Sequence, residues 1–136
     1  MAALVADRNT PMRDGELIPV PVKSGVKIYA GAIVVADGGY AKPGVKAENL
    51  VYLGRAEEQV DNTAAGAKDG DKSVLLRRGR AFKWVNAAGN GAVGQAEFGK
   101  KVYIVDDQTV TKTAAGASDT GAAVVVGIES DGVWIG

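Results

Sequence analysis

The sequence predicts an all-β domain, a small β-barrel or a β-tulip/sandwich, preceded by an extended N-terminal arm. Three observations carry that expectation. Nineteen glycines punctuate short β-branched runs along the 136 residues, the pattern of strands joined by tight turns. No stretch sustains a helical 3.6-residue apolar period with capping residues over three turns. Three of the four prolines, Pro11, Pro19 and Pro21, fall within the first 23 residues, where their fixed φ and missing N–H exclude a helix interior or a central strand.

Residues 1–23 therefore read as the arm and residues 24–136 as one barrel-like domain. The arm contains the extended segment Leu17-Ile-Pro-Val-Pro-Val, whose apolar side chains need a surface to cover them. Pro11, Leu17, Ile18, Pro19, Val20 and Pro21 are the expected partner-binding residues. From Val26 the strand signals become regular. Val26–Gly31 leads into Ala32-Ile-Val-Val-Ala, and Asp37-Gly-Gly is a turn signal ahead of Tyr40-Ala-Lys. Lys42-Pro-Gly reads as another turn, Leu50–Ala56 as a buried strand, and Asp61–Asp71 as a loop. Ser73–Val85 reads as one long glycine-interrupted strand or a bulged pair, with Phe82 and Trp84 on one face because side chains alternate along a strand. Ala87–Gly94 is too small-sided to pack as a helix. Lys101–Val105, Thr109–Thr113, Ala123–Glu129 and Val133–Ile135 complete the strands, with Asp131-Gly as a hairpin turn. Trp84 and Trp134 are expected to anchor the core, since large residues are few.

Val51–Glu57 echoes Val124–Glu129, and Ile28-Tyr29 stands about as far ahead of Val102-Tyr103. Duplicated β units or chance similarity among valine- and glycine-rich strands would each produce such an echo.

Composition narrows the chemistry. Lysine and arginine total 16, balancing 16 aspartate and glutamate, so neither a globally basic nucleic-acid binder nor a polyanion mimic is indicated. Cysteine and histidine are absent, which removes thiol nucleophiles, disulfides, histidine bases and ordinary zinc sites together. The expectation is a protein that is not an enzyme and uses no cofactor or metal. No run approaches the roughly 18 apolar residues of a membrane span. The N-terminus lacks the basic leader of a secretory signal, so the protein is expected to be made and used without crossing a membrane.

Asp69-Gly-Asp71 has the alternating carboxylates that begin a calcium loop, but the twelfth position is Arg80 where glutamate is required. A solvated turn is the better reading. Gly89–Gly94 has phosphate-loop-like spacing without the lysine or the following helix. Glu57-Glu58 and Asp106-Asp107 read as solvated turn acids. Arg77, Arg78 and Arg80, with Lys72 and Lys83, form the densest positive patch. Beside Phe82 and Trp84 it has the ingredients of a β-barrel module for single-stranded nucleic acid. Core burial of the two aromatics is favoured, leaving the arginines for charged contacts with a protein partner.

Over most of its length the chain resembles the small capsid decoration, or cement, proteins of tailed phages and prophages. The resemblance rests on the proline-containing arm through Pro21, the segment Gly25-Val-Lys-Ile-Tyr-Ala-Gly-Ala-Ile-Val-Val, the following Tyr40-Ala-Lys, and the late Val124-Val-Val-Gly-Ile-Glu with its closing Val-Trp-Ile. It implies a β-barrel or β-tulip that clamps onto assembled major capsid protein, often as a trimer. The implied location is the capsid surface of a virion assembled in the host cytoplasm. A tail or baseplate component would share these features. Under either reading no nucleic acid and no membrane is the expected partner.

Overall fold

The computed structural model describes residues 2–136. The chain is all-β, with two single 3-10 turns, Gly89–Gly91 and Gln95–Glu97, as its helical elements among the described residues. The first strands are β1 (Leu17–Pro21), β2 (Lys27–Ile28), β3 (Ile33–Asp37) and β4 (Tyr40–Pro43). Next come β5 (Val51–Ala56), β6 (Val60–Asp61), β7 (Ser73–Arg77) and β8 (Phe82–Asn86). The last are β9 (Tyr103–Ile104), β10 (Thr109–Thr111), β11 (Val125–Glu129) and β12 (Gly132–Ile135).

These strands build two five-stranded sheets, ordered β1-β7-β5-β3-β4 and β11-β12-β8-β10-β9, and a small β2-β6 ribbon. The hairpin turns follow local chemistry. Gly38 and Gly39, at φ +59° and +89°, join β3 to β4 in the doubly left-handed geometry that a two-residue hairpin needs. Ser130-Asp131 joins β11 to β12. Lys42-Pro43 is not a turn but the end of edge strand β4, where a missing N–H costs nothing.

Ser73–Val85 is neither one strand nor a bulged pair. β7 lies in the first sheet and β8 in the second, and Arg78–Ala81 carries the chain across. Gly79 at φ +73° supplies the left-handed residue at that crossing.

β3 explains the continuous apolar run of the sequence. Ile33 and Val35 point into a core shared with the second sheet, which contributes Phe82, Trp84, Val110, Val125, Val133 and Ile135. Ala32 and Val34 point the other way, into a second core with Ile28 and Val60 of the ribbon and Val74 and Leu76 of β7. A strand buried on both faces loses the polar alternation of a half-exposed one. The molecule is thus three layers, ribbon, first sheet and second sheet, around two cores. Each fully buried Val or Ile contributes roughly 1.5–3 kcal/mol over leaving it exposed, so the thin-looking composition suffices because β3 serves both sides.

The sheets curl without closing into a barrel, so the sandwich form of the expectation holds. In the first sheet the outer strands meet at one parallel bridge, Val22 opposite Ala41, with Lys23 N–H donating to the Ala41 carbonyl at 2.9 Å. Prolines explain why the seam stops there. Val22 N–H donates to Lys72 across the β1–β7 ladder at 2.8 Å, so Val20 and Ile18, two and four residues earlier, also face β7. Pro19 and Pro21 therefore hold the positions facing the open edge, where they offer no donor to extend the seam toward β4.

Two further sequence expectations are corrected. Residues 1–23 are not all arm: β1 pairs with β7 from Leu17 to Pro21, and Val22 is fully buried. Alternation decided this, because every second residue from Ile18 can face the core while prolines keep to the edge. Trp134 does not anchor the core. It lies on the outer face of β12, 37% exposed, while its neighbours Val133 and Ile135 are fully buried. The internal echo does not mark equivalent places either, since β5 is interior to its sheet and β11 is at an edge.

Candidate partner-binding surface

The arm proper is residues 2–15, every one of them exposed. Leu4, Val5 and Met12 stand 72%, 100% and 98% exposed, and Pro11 lies among them, exposed as well. The polar contacts of the arm are local: Arg8 donates to the Thr10 hydroxyl at 2.8 Å, and Glu16 N–H to the Asp14 carboxylate at 3.0 Å. The remaining predicted arm contacts divide by parity. Ile18 and Val20 pack against the second core, whereas Leu17, Pro19 and Pro21 face outward. Only the latter three remain available to a partner.

The arm is rooted at an arginine cluster. Arg78 N–H donates to the Glu16 carbonyl at 2.7 Å, continuing the β1–β7 ladder by one pair. Arg80 grips the Glu16 carboxylate at two points, Nε to Oε1 at 3.2 Å and Nη2 to Oε2 at 2.9 Å. That bond holds the Arg80 guanidinium above its ordinary pKa. Arg55 and Arg77 are register partners on β5 and β7 and share Glu57, whose Oε1 lies 3.0 Å from Arg55 Nε and 3.6 Å from Arg77 Nε. The Arg55 hydrogen bond, more than its charge, keeps Glu57 below the usual carboxylate range. Arg55 also lies over the Phe82 ring, 5.0 Å from its centroid. Arg78 is exposed and belongs to none of these ion pairs among the described residues. Three arginines, Arg55, Arg77 and Arg80, therefore share two glutamates. Glu57, expected to be a solvated turn acid, is instead ion-paired, and no sequence motif announced Glu16; the β1–β7–β5 register brings both to the arginines.

Beside this cluster a mostly apolar groove of about 440 Å³ opens where the two sheets meet. It is lined by Tyr52 and Leu53 of β5, by Ala123 and Val126 at β11, and by Arg78 and Arg80. Val126 is nearly half exposed there.

The other sequence candidates have structural employment. Asp69 accepts Ser24 N–H and Asp71 accepts Lys68 N–H, each at 2.8 Å. Asn62, buried in the same loop, donates to the carbonyls of Val22, Lys23 and Lys68. Asp106 caps its own turn through Gln108 N–H, and Glu58 accepts Leu75 N–H. Among the described residues no three potential ligands gather for a metal ion. The Gly89–Gly94 loop is pinned by the Asn86 side chain, which accepts Val93 N–H and donates to its carbonyl, both at 2.8 Å. Phe82 and Trp84 are buried with ring centroids 6.0 Å apart, and Arg55 covers the Phe82 ring, so neither ring is open for a base to stack on. Trp134 instead donates to Glu129 at 2.7 Å. Lys83 lies 5.9 Å from its ring centroid and pairs with Asp131 at 2.9 Å.

Comparison with protein-family models, curated proteins and solved structures finds no match to this chain.

Proposed function

We propose that this protein is a structural virion component that binds assembled phage major capsid protein and stabilises the shell from its outer surface. One observation carries the reading: a rigid, doubly cored β body holds out a fully exposed arm with Leu4, Val5 and Met12 directed at solvent. Exposed apolar side chains on an extended segment gain free energy only when another surface covers them. The resemblance of the sequence to capsid decoration proteins supplies the identity of that surface. Leu17, Pro19 and Pro21 on the outer edge of β1 extend the contact area from the arm's root. Many symmetric copies on a shell convert modest single contacts into tight overall attachment. On this reading the protein needs neither cofactor nor catalytic residue, and it works as a homo-oligomer.

Of the two alternatives, the nucleic-acid module is disfavoured by position. Its stacking residues Phe82 and Trp84 face the core, and Glu16 and Glu57 occupy Arg77, Arg80 and Arg55. Such sites need exposed aromatics and uncompensated cations. The test is co-sedimentation of the full-length protein with empty phage heads, with tails, and with single-stranded DNA at physiological salt. Binding to heads is expected. Binding to tails alone would move the protein to the tail, and submicromolar, salt-sensitive DNA binding would replace the proposal with the nucleic-acid reading.

A further inference from the structure

We propose that the tip of the arm, Leu4 to Asp7, seats in the groove between the sheets on a second copy of the chain. This contact between copies uses Leu4 and Val5 and leaves Met12, Leu17, Pro19 and Pro21 exposed for the capsid contact of the proposed function.

The groove and the tip match in chemistry. The groove offers an apolar lining of Tyr52, Leu53, Ala123 and Val126, with Arg78 at its side outside any ion pair among the described residues. The tip offers two adjacent apolar side chains, Leu4 and Val5, then Ala6, then the carboxylate of Asp7. Seating Leu4 and Val5 places an acid within two residues of the apolar contact, where Arg78 is available to receive it. Arg80 is already held by Glu16, which leaves Arg78 as the partner for an incoming carboxylate.

The path of the arm decides between its own groove and a neighbour's. Its root, Glu16, is bonded to Arg78 and Arg80, so the chain leaves the domain at the edge of the groove. From residue 7 to residue 14 the backbone contains neither bend nor turn. Eight extended residues carry the tip roughly 25 Å from the root at about 3.3 Å each. Returning to its own groove would require a reversal between residues 7 and 14, and the chain makes none there, its bends falling at Val5-Ala6 and Gly15-Glu16. A second copy can present its groove to the extended arm with no such reversal, and reciprocal exchange closes a symmetric assembly.

The chain lacks cysteine, so engineered thiols report the contact directly. Val5→Cys and Val126→Cys are made as separate full-length variants, mixed, and oxidised. The expected result is a mixed disulfide between the two variants in excess of its statistical share over like-with-like dimers. Arg78→Asp in the Val126→Cys chain should reduce that yield several-fold, and Asp7→Arg in the Val5→Cys chain should restore it. An unbiased distribution of disulfides would overturn the proposal. So would a chain carrying both thiols that closes on itself at a rate independent of protein concentration, because the groove would then hold its own arm.

Discussion

Trp84 lies opposite Val133 and Trp134 opposite Lys83 in the β12–β8 ladder, and that offset of one residue places the two indoles on opposite faces. Nothing in Phe82-Lys-Trp-Val or Val133-Trp-Ile distinguishes them, since both are apolar β contexts. Which face is inside depends on register, and register is a tertiary property. Trp84→Ala should cost about 3–5 kcal/mol, as removal of a buried aromatic does. Trp134→Ala should cost under about 1.5 kcal/mol, because its ring is partly solvated and held by an exposed hydrogen bond to Glu129. Chemical denaturation of the two variants measures both, and equal losses would contradict the assignment of faces. Tyr52 gives a second residue-scale test. Its hydroxyl and the Trp84 indole N–H are the buried side-chain polar atoms without a hydrogen-bond partner among the described residues. Burial is the larger influence on the Tyr52 hydroxyl and raises its pKa; the Trp84 indole lowers it in part but does not reach hydrogen-bond geometry. A polar group buried unsatisfied is a cost to the fold, so Tyr52→Phe should leave the melting temperature unchanged or raise it. A clear drop would mean that the hydroxyl is paired.

At the scale of elements, β5 crosses β7 at a contact that only glycine permits. Gly54 has φ +140°, and a Cβ there would stand 2.2 Å from the Arg77 carbonyl oxygen. The Cβ of Gly54→Ala would meet backbone that no side-chain rotation relieves, so the substitution should destabilise the fold by more than the roughly 1–3 kcal/mol of ordinary backbone strain. An alanine variant melting with the parent would show that the crossing is looser than described. The strands themselves were largely legible, because Ala32–Ala36 and Ala123–Glu129 are β-branched runs flanked by glycine turns and Leu50–Ala56 opens on the apolar run Leu50-Val-Tyr-Leu. What was hidden was assignment to sheets. Ser73–Val85 looked continuous because the change of sheet at Arg78–Ala81 is made by charged and small residues that are equally at home in an exposed strand. The length of the arm was hidden for a similar reason. The spacing of Pro19 and Pro21 is compatible with a free arm and with an edge strand, and only the partner strand β7 distinguishes them.

For the whole molecule, the absence of histidine leaves no side chain with an ordinary pKa between about 5 and 8. Stability should be flat over that range. Below it the carboxylates decide. Asp37 is held low chiefly by its Lys42 hydrogen bond, Asp131 by Lys83, Glu57 by Arg55, Asp61 by Thr63 and Asp69 by Ser24 N–H. A folded-state pKa below the unfolded one gives stability that is present above the ordinary value and lost as pH falls through the depressed one. The melting temperature should accordingly begin to fall near pH 4.5 and continue downward, with the onset weakened in high salt where solvent-accessible ion pairs (Asp37–Lys42, Glu57–Arg55, Asp131–Lys83) contribute. A transition centred near pH 6.5 would contradict this charge inventory.

The proposed partner surface was legible only as composition. Prolines and apolar residues marked the N-terminus, yet the same pattern covered both a true arm, residues 2–15, and a strand of the domain. The structure separates them, and the separation makes the central claim testable: the body stands alone, and the arm attaches it. Deletion of residues 2–15 keeps Glu16 and its ties to Arg77 and Arg80, so the shortened protein should retain the parent's melting temperature. The most direct measurement is co-sedimentation of this shortened protein with empty heads, beside the full-length protein, at a temperature where both are folded. The account predicts that the shortened protein stays in the supernatant while the full-length protein pellets with the heads. Undiminished binding by the shortened protein would contradict it and move the attachment surface onto the β body.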